Sequence, residues 1–121
     1  MRLALILVVA TLFIPSFSAH ADEVPAEIEY LLTTIGSSDC VFIRNGKRHD
    51  ARDAEDHLRM KYRRGKRYAP TTEAFIGRLA SKSSMSKKLY HIECPGAEPV
   101  PSGEWLSQRL AEYRVSQDDA Q

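Results

Sequence analysis

Asn45-Gly46 is the feature that most constrains this fold. The pair follows Cys40-Val41-Phe42-Ile43-Arg44, a run of β-branched and aromatic residues, and precedes Lys47-Arg48-His49-Asp50. Asn-Gly supplies the two positive φ angles that a tight hairpin turn requires. A hairpin over residues 40–50 is therefore expected. Phe42 lies on one face of its first strand and Val41 and Ile43 on the other. That strand is accordingly expected to be covered on both sides.

A third strand is expected at Leu89-Tyr90-His91-Ile92-Glu93-Cys94, stopped by Pro95-Gly96. Cys40 and Cys94 are the two cysteines of the chain. Outside the cytoplasm, two lone cysteines most simply form one disulfide. Closing a loop of this length stabilises a domain by about 4 kcal/mol in the chain-entropy model. No Cys-x-x-Cys spacing points to a redox pair. If Cys40 faces Cys94 in antiparallel strands, Phe42 falls opposite Ile92 and Arg44 opposite Tyr90. All three pairs then share one face, and Phe42–Ile92 beside the bridge makes a core pair.

The remaining segments have helical periodicity. Ile28, Leu31, Leu32 and Ile35 recur at i, i+3, i+4 and i+7, with Pro25 at the start and Gly36 expected to end the helix. Asp50 is an N-cap for a helix from Ala51 to about Arg64, ended by Gly65, that buries Ala51, Ala54, Leu58 and Tyr62. Thr71 caps a helix to about Ser81 with Phe75, Ile76, Leu79 and Ala80 inside. Residues 81–88 form a Ser/Lys loop, and Pro99 and Pro101 an extended connection. Ser102 is expected to cap a last helix, to about Arg114, carrying Trp105, Leu106, Leu110 and Tyr113 inward. The expected fold class is α+β: a small three-stranded antiparallel sheet (hairpin 40–50 plus strand 89–94) packed by about four helices.

The first 21 residues belong to none of this. Met1-Arg2, an apolar run from Leu3 to Phe17 and Ala19-His20-Ala21 match the three regions of a secretory signal peptide. The run is short for a bilayer span and is followed by Asp22-Glu23 rather than a basic flank. Cleavage after Ala21 would leave a mature chain of one globular domain, 22–114, with a flexible tail at 115–121, in the periplasm. No membrane span remains after that cleavage.

With Arg2 removed, 16 Lys+Arg face 16 Asp+Glu. That balance argues against a nucleic-acid binder. The charges are nevertheless uneven: Arg59-Met60-Lys61-Tyr62-Arg63-Arg64-Gly65-Lys66-Arg67 holds six cations and no acid. Cations at a helix C-terminus suit its dipole, so the run reads as a solvated helix end. It also reads as a surface for an anionic partner: a lipid headgroup, a phosphate, a polysaccharide or an acidic protein. Arg44, Asn45, His57 and Lys61 form a second candidate set. If the hairpin packs beside the second helix, these residues line a cationic pocket for a carboxylate or phosphate.

Catalytic patterns are weak. Ser84-Met85-Ser86-Lys87 fits Ser-x-x-Lys, but it precedes a strand instead of opening a helix and has no partner motifs. Its serines are expected to satisfy local backbone groups. Asp53 and His57 stand at i,i+4, a spacing for an oriented base and equally for an ordinary surface pair. In the expected register His49 and His91 point to opposite faces, so no metal site is expected, and no sequence pattern calls for a cofactor.

Phe-Ile-Arg-Asn-Gly at 42–46, His-Leu-Arg-Met-Lys at 57–61, Phe-Ile at 75–76 and Ser-Ser-Met-Ser-Lys-Lys-Leu-Tyr at 83–90 resemble the YfeK-like family. These are small secreted proteins of Gram-negative bacteria with a domain of unknown function. The resemblance spans about residues 27–114 and implies periplasmic residence and a shared fold, with no activity attached. Similar proteins carry Gly where this chain has Lys87, and lysine is a poor occupant of a positive-φ turn. The two cysteines lie outside the family pattern, which favours a structural staple.

Two functions from different classes fit. The first is a non-catalytic binding or interaction module whose basic surface takes an anionic ligand or an envelope protein. The second is a small hydrolase-like enzyme using His57 with a nearby serine. A purely structural envelope protein is a third.

Overall fold

The computed structural model describes residues 10–16 and 23–121. The expected cleavage point, Ala21–Asp22, lies outside the described residues. Among the described residues, no helix is long and apolar enough to cross a membrane.

The hairpin forms as the Asn-Gly turn dictates. Strands β1 (Val41–Arg44) and β2 (Lys47–His49) pair antiparallel, with Asn45 at φ 50 and Gly46 at φ 77. Strand β3 (His91–Glu93) pairs with β1 in the expected register, Phe42 opposite Ile92. The bridge between Cys40 and Cys94 is present. The sheet has a fourth strand, β4 (Val100–Pro101), on the outer edge of β3, giving the order β2-β1-β3-β4. The sequence reading took this stretch as a mere connection because of its prolines. Pro101 lies on an edge strand, where its missing N–H costs no ladder bond.

Only one face of the sheet is fully covered. Phe42 and Ile92 are buried, whereas Val41 and Ile43, expected to be covered as well, are half-buried. That second face also carries an ion pair between Arg48 and Glu93 at 2.7 Å. Its aliphatic positions are interleaved with charge, and among the described residues no helix packs on it.

Helix α1 (Ala26–Ser37) buries its whole stripe, Ile28, Leu31, Leu32 and Ile35. Each such side chain contributes about 1.5–3 kcal/mol of transfer free energy. α1 passes through Gly36 instead of ending there. A Cβ on Gly36 would collide with the Glu55 carboxylate of α2 (Ala51–Gly65). Glycine at 36 thus permits close α1–α2 packing. Asp50 caps α2, accepting from the Asp53 N–H at 2.8 Å. Thr71 caps α3 (Thr72–Ala74), which winds directly into a π-helical segment, Phe75–Ala80, where a regular α-helix was expected. Ser81 Oγ closes that segment by donating to the Ile76 carbonyl at 2.5 Å. The widened turns turn Phe75, Ile76, Leu79 and Ala80 all inward.

Helix α4 (Ser102–Asp119) is longer than its apolar pattern implies and covers most of the expected tail, 115–121. No Gly or Pro interrupts that stretch, and Ser116 Oγ donates back to the Tyr113 carbonyl. Ser102 is not the cap. It is the first residue of the helix, almost wholly buried, and its hydroxyl donates to the Ala80 carbonyl at 2.7 Å, tying α4 to the π segment.

Candidate functional site

The hairpin tip, the second half of α2 and the 83–86 loop enclose a cleft of about 660 Å³. It is lined by Arg44, Asn45, Lys47, His49, His57, Met60, Lys61, Arg64, Tyr68, Leu79, Ser83, Ser84, Met85, Ser86 and Tyr90, among others. Among the described residues, the lining has four Lys or Arg side chains, two histidines and no carboxylate. The hairpin places Arg44 and Lys47 because β1 and β2 end at its tip. α2 places His57, Lys61 and Arg64, which recur at spacings of three and four and so share one helical flank.

The floor is Tyr90, buried beneath the hairpin and packed on Phe42 with ring centroids 5.2 Å apart. Its hydroxyl accepts from Lys61 Nζ at 3.1 Å and lies 3.4 Å from His57 Nε2. Lys61 also donates to the Lys82 carbonyl at 2.8 Å and stands 4.9 Å above the Tyr90 ring. Sequence reasoning placed Lys61 beside the apolar stripe; it is a buried residue within it. Burial, with the like charges of Arg44 and Lys87, pushes its ammonium down to about 8. Burial, with Arg44, Lys61 and His49 adding positive charge, pushes the His57 imidazole down to about 4. The same burial pushes the Tyr90 phenol up. His57 is thereby favoured in its neutral form, whose Nε2 shares a hydrogen bond with the Tyr90 hydroxyl. Arg44 Nη2 reaches His49 Nε2 at 3.5 Å.

The serine loop closes the cleft from above. Ser86 Oγ donates to Asn45 Oδ1 at 2.7 Å, joining the loop to the hairpin tip. Ser83 Oγ accepts from the Ser86 N–H, and Ser86 Oγ accepts from the Lys88 N–H. Lys87 adopts φ 63, so the positive-φ turn persists without glycine. Its N–H donates to the Ser83 carbonyl at 3.0 Å, and the Ser83 N–H donates to the Lys88 carbonyl at 2.9 Å; this ladder holds the lysine in place. The Ser-x-x-Lys residues thus occupy a tight turn, not a helix start.

The structure joins Arg44, Asn45, His57 and Lys61 in one site. It does not keep the basic run 59–67 together. Lys61 and Arg64 face the cleft. Arg59 faces α1, chelating Glu29 through two N–H···O bonds of 2.7 and 2.8 Å and donating to Glu55 at 2.7 Å. Those bonds hold its guanidinium well above the usual range and the Glu29 carboxyl below it. Arg63 is exposed. Lys66 and Arg67 belong to a following 3₁₀ turn, Lys66–Tyr68, and the Arg67 guanidinium lies 4.7 Å over the Tyr68 ring. The run reads as one rim along the sequence, but six cations over nine residues circle most of the helix.

Tyr90 and Lys47 carry no role in the sequence reading, whereas His49 and the 83–88 serine loop are weighed there for metal binding and for catalysis. Tyr90 had a legible signal, since it shares a strand face with Arg44 in the register the disulfide imposes. The serines stand out in the sequence as a Ser-x-x-Lys match, but only the loop's fold brings them over the cleft. His49 pairs with Phe42 and lies in the cleft, while His91 pairs with Ile43 on the other face. Among the described residues, no group of three or more His, Cys, Asp or Glu is placed to hold a metal ion.

No solved structure matches the chain. An uncharacterised protein, YfeK, of Salmonella typhimurium is 35% identical over 74 residues, covering 60% of this chain. The match spans 59% of that protein's own length. The model of a family of unknown function, DUF5329, matches residues 22–114. The sequence motifs and this match agree: the chain belongs to the DUF5329 family, whose function is unknown.

Proposed function

We propose that the protein is a non-catalytic periplasmic binding module that holds an anionic ligand in the cleft between the hairpin and α2. One observation carries this reading: Arg44, Lys47, Lys61 and Arg64 line a single cavity with no carboxylate in its lining among the described residues. Several arginines outside the cleft are paired with carboxylates. Arg59 is matched by Glu29 and Glu55, Arg114 by Glu27 and Glu73, and Arg48 by Glu93. A cluster of cations facing one cavity is stabilised by an arriving carboxylate or phosphate, through charge-assisted hydrogen bonds about twice as strong as neutral ones. The disulfide and the leader-like first 21 residues support export.

The basic surface of the sequence reading narrows here to the cleft. Arg63 and Arg67, outside the cavity lining, serve at most as a long-range field that draws anions in. A hydrolase using His57 and a serine has weaker support. Ser83, Ser84 and Ser86 line the same cavity, yet His57 meets Tyr90, and the Ser86 hydroxyl donates to Asn45.

Calorimetric titration with inorganic phosphate and with phenyl phosphate tests the reading. Binding is expected to weaken as salt rises. Arg44→Gln is expected to weaken it about tenfold, equivalent to about 1.4 kcal/mol, with Arg63→Gln leaving it unchanged. Equal loss in both variants would mean that diffuse surface charge, not the cleft, attracts the anion.

A further inference from the structure

We propose that Lys61 is an imine-forming amine, so that the cleft captures an anion that also carries an aldehyde or ketone. The inference rests on the anion-binding reading above and adds covalent chemistry to it. Lys61 is buried on α2, yet among the described residues its Nζ meets no carboxylate, and its two hydrogen-bond acceptors there are the Lys82 carbonyl at 2.8 Å and the Tyr90 hydroxyl at 3.1 Å. A protonated ammonium has three N–H groups and needs counter-charge when buried. A neutral amine has two N–H groups. They match the two acceptors one for one and leave a lone pair, and Lys61 borders the 660 Å³ cavity. Arg44 and Lys87 raise the positive field around Nζ and favour that neutral form. A lysine desolvated beside other cations is the setting in which an amine becomes a nucleophile at moderate pH.

The cleft also holds what the reaction needs besides the amine. Arg44 and Arg64 can anchor the carboxylate or phosphate and hold the carbonyl carbon over Nζ. The lone pair forms the C–N bond while the carbonyl π pair moves to oxygen. That oxygen takes one proton from the nitrogen, a transfer that can pass through the Tyr90 hydroxyl, giving a carbinolamine. The nitrogen's electron pair then expels the hydroxyl group, which leaves as water with a further proton drawn from solvent, and a protonated imine remains. The sum is amine plus carbonyl plus a proton giving iminium plus water, with no oxidant or reductant. Tyr90 and neutral His57, 3.4 Å from the phenol oxygen, keep the proton path polar inside an otherwise apolar floor.

The test uses the oxidised, leader-free protein with pyridoxal 5′-phosphate, an aldehyde bearing a phosphate, followed by borohydride reduction and peptide mapping. Lys87 and Lys88, exposed and outside the cavity lining, are internal controls. Lys61 is expected to be labelled at least tenfold faster than either of them, and excess inorganic phosphate is expected to slow that labelling selectively. Lys61→Arg, checked for native circular dichroism, is expected to lose the fast adduct, and Tyr90→Phe to slow it about tenfold. Adducts spread over exposed lysines, with Lys61 no faster than the rest, would overturn the proposal. In that event, phosphate binding measured by calorimetry on the same sample would leave the anion-binding reading standing. Absence of both would remove the two together.

Discussion

Lys61 and His57 show how position outweighs residue type. Each is an ionisable side chain facing a buried tyrosine, and each is pushed toward its neutral form. The pH consequences follow from proton counting. Between about pH 4 and 6.5 the unfolded chain protonates His57 and the folded one resists. The native state should therefore lose stability as pH falls through that window. Urea midpoints at pH 7 and pH 5 should show a drop in the parent that is smaller in His57→Gln. Lys61 gives the same sign at higher pH: between about 8 and 10 the unfolded lysine still holds a proton that the folded one has released. Stability should rise with pH there, and Lys61→Met should flatten the rise. A rise of equal steepness in that variant would mean that Lys61 is charged in the folded state. Residue-level reasoning from sequence missed this pairing because Lys61 reads as one cation among six. Its burial is visible only once Leu58, Tyr62 and Gly65 are known to share its helical flank.

Elements were more legible than side chains where local chemistry dictates geometry. The Asn45-Gly46 turn, the Asp50 and Thr71 caps and the register around the disulfide all follow from rules that act within a few residues or one strand pair. What was not legible depends on distant partners. Gly36 looks like a helix stop but serves a close approach to Glu55. The π segment at Phe75–Ala80 is dictated by packing, and Ser102 spends its hydroxyl on another helix. Two stability predictions belong at this scale. Gly36→Ala should destabilise by about 1–3 kcal/mol in chemical denaturation, since the added methyl must displace Glu55 and loosen Arg59. A glycine valued only as a helix stop would tolerate alanine. Reducing the Cys40–Cys94 bridge should cost about 4 kcal/mol, read as a shifted denaturation midpoint. An unchanged midpoint would mean that the bridge adds no constraint beyond the β1–β3 pairing.

Across the whole molecule, a formal net charge of only +1 conceals separated charge. Carboxylates are drawn into ion pairs that lace the helices: Glu29 and Glu55 fix α1 to α2 through Arg59, and Glu27 and Glu73 fix α1 and α3 to α4 through Arg114. Among the described residues, the cleft receives cations and no acid. Reversal of Arg63 and Arg67 to Glu should therefore slow anion association without abolishing it, since neither lines the cleft. The most direct test of the cleft as the binding site is a titration of the isotope-labelled protein with inorganic phosphate, followed by amide and side-chain NMR shifts. Saturable shifts should centre on Arg44, Asn45, Lys61, Ser83 to Ser86 and Tyr90, with Arg63 and Arg67 unmoved. Shifts that centre on Arg63 and Arg67 and leave Arg44 and Tyr90 unperturbed would contradict it.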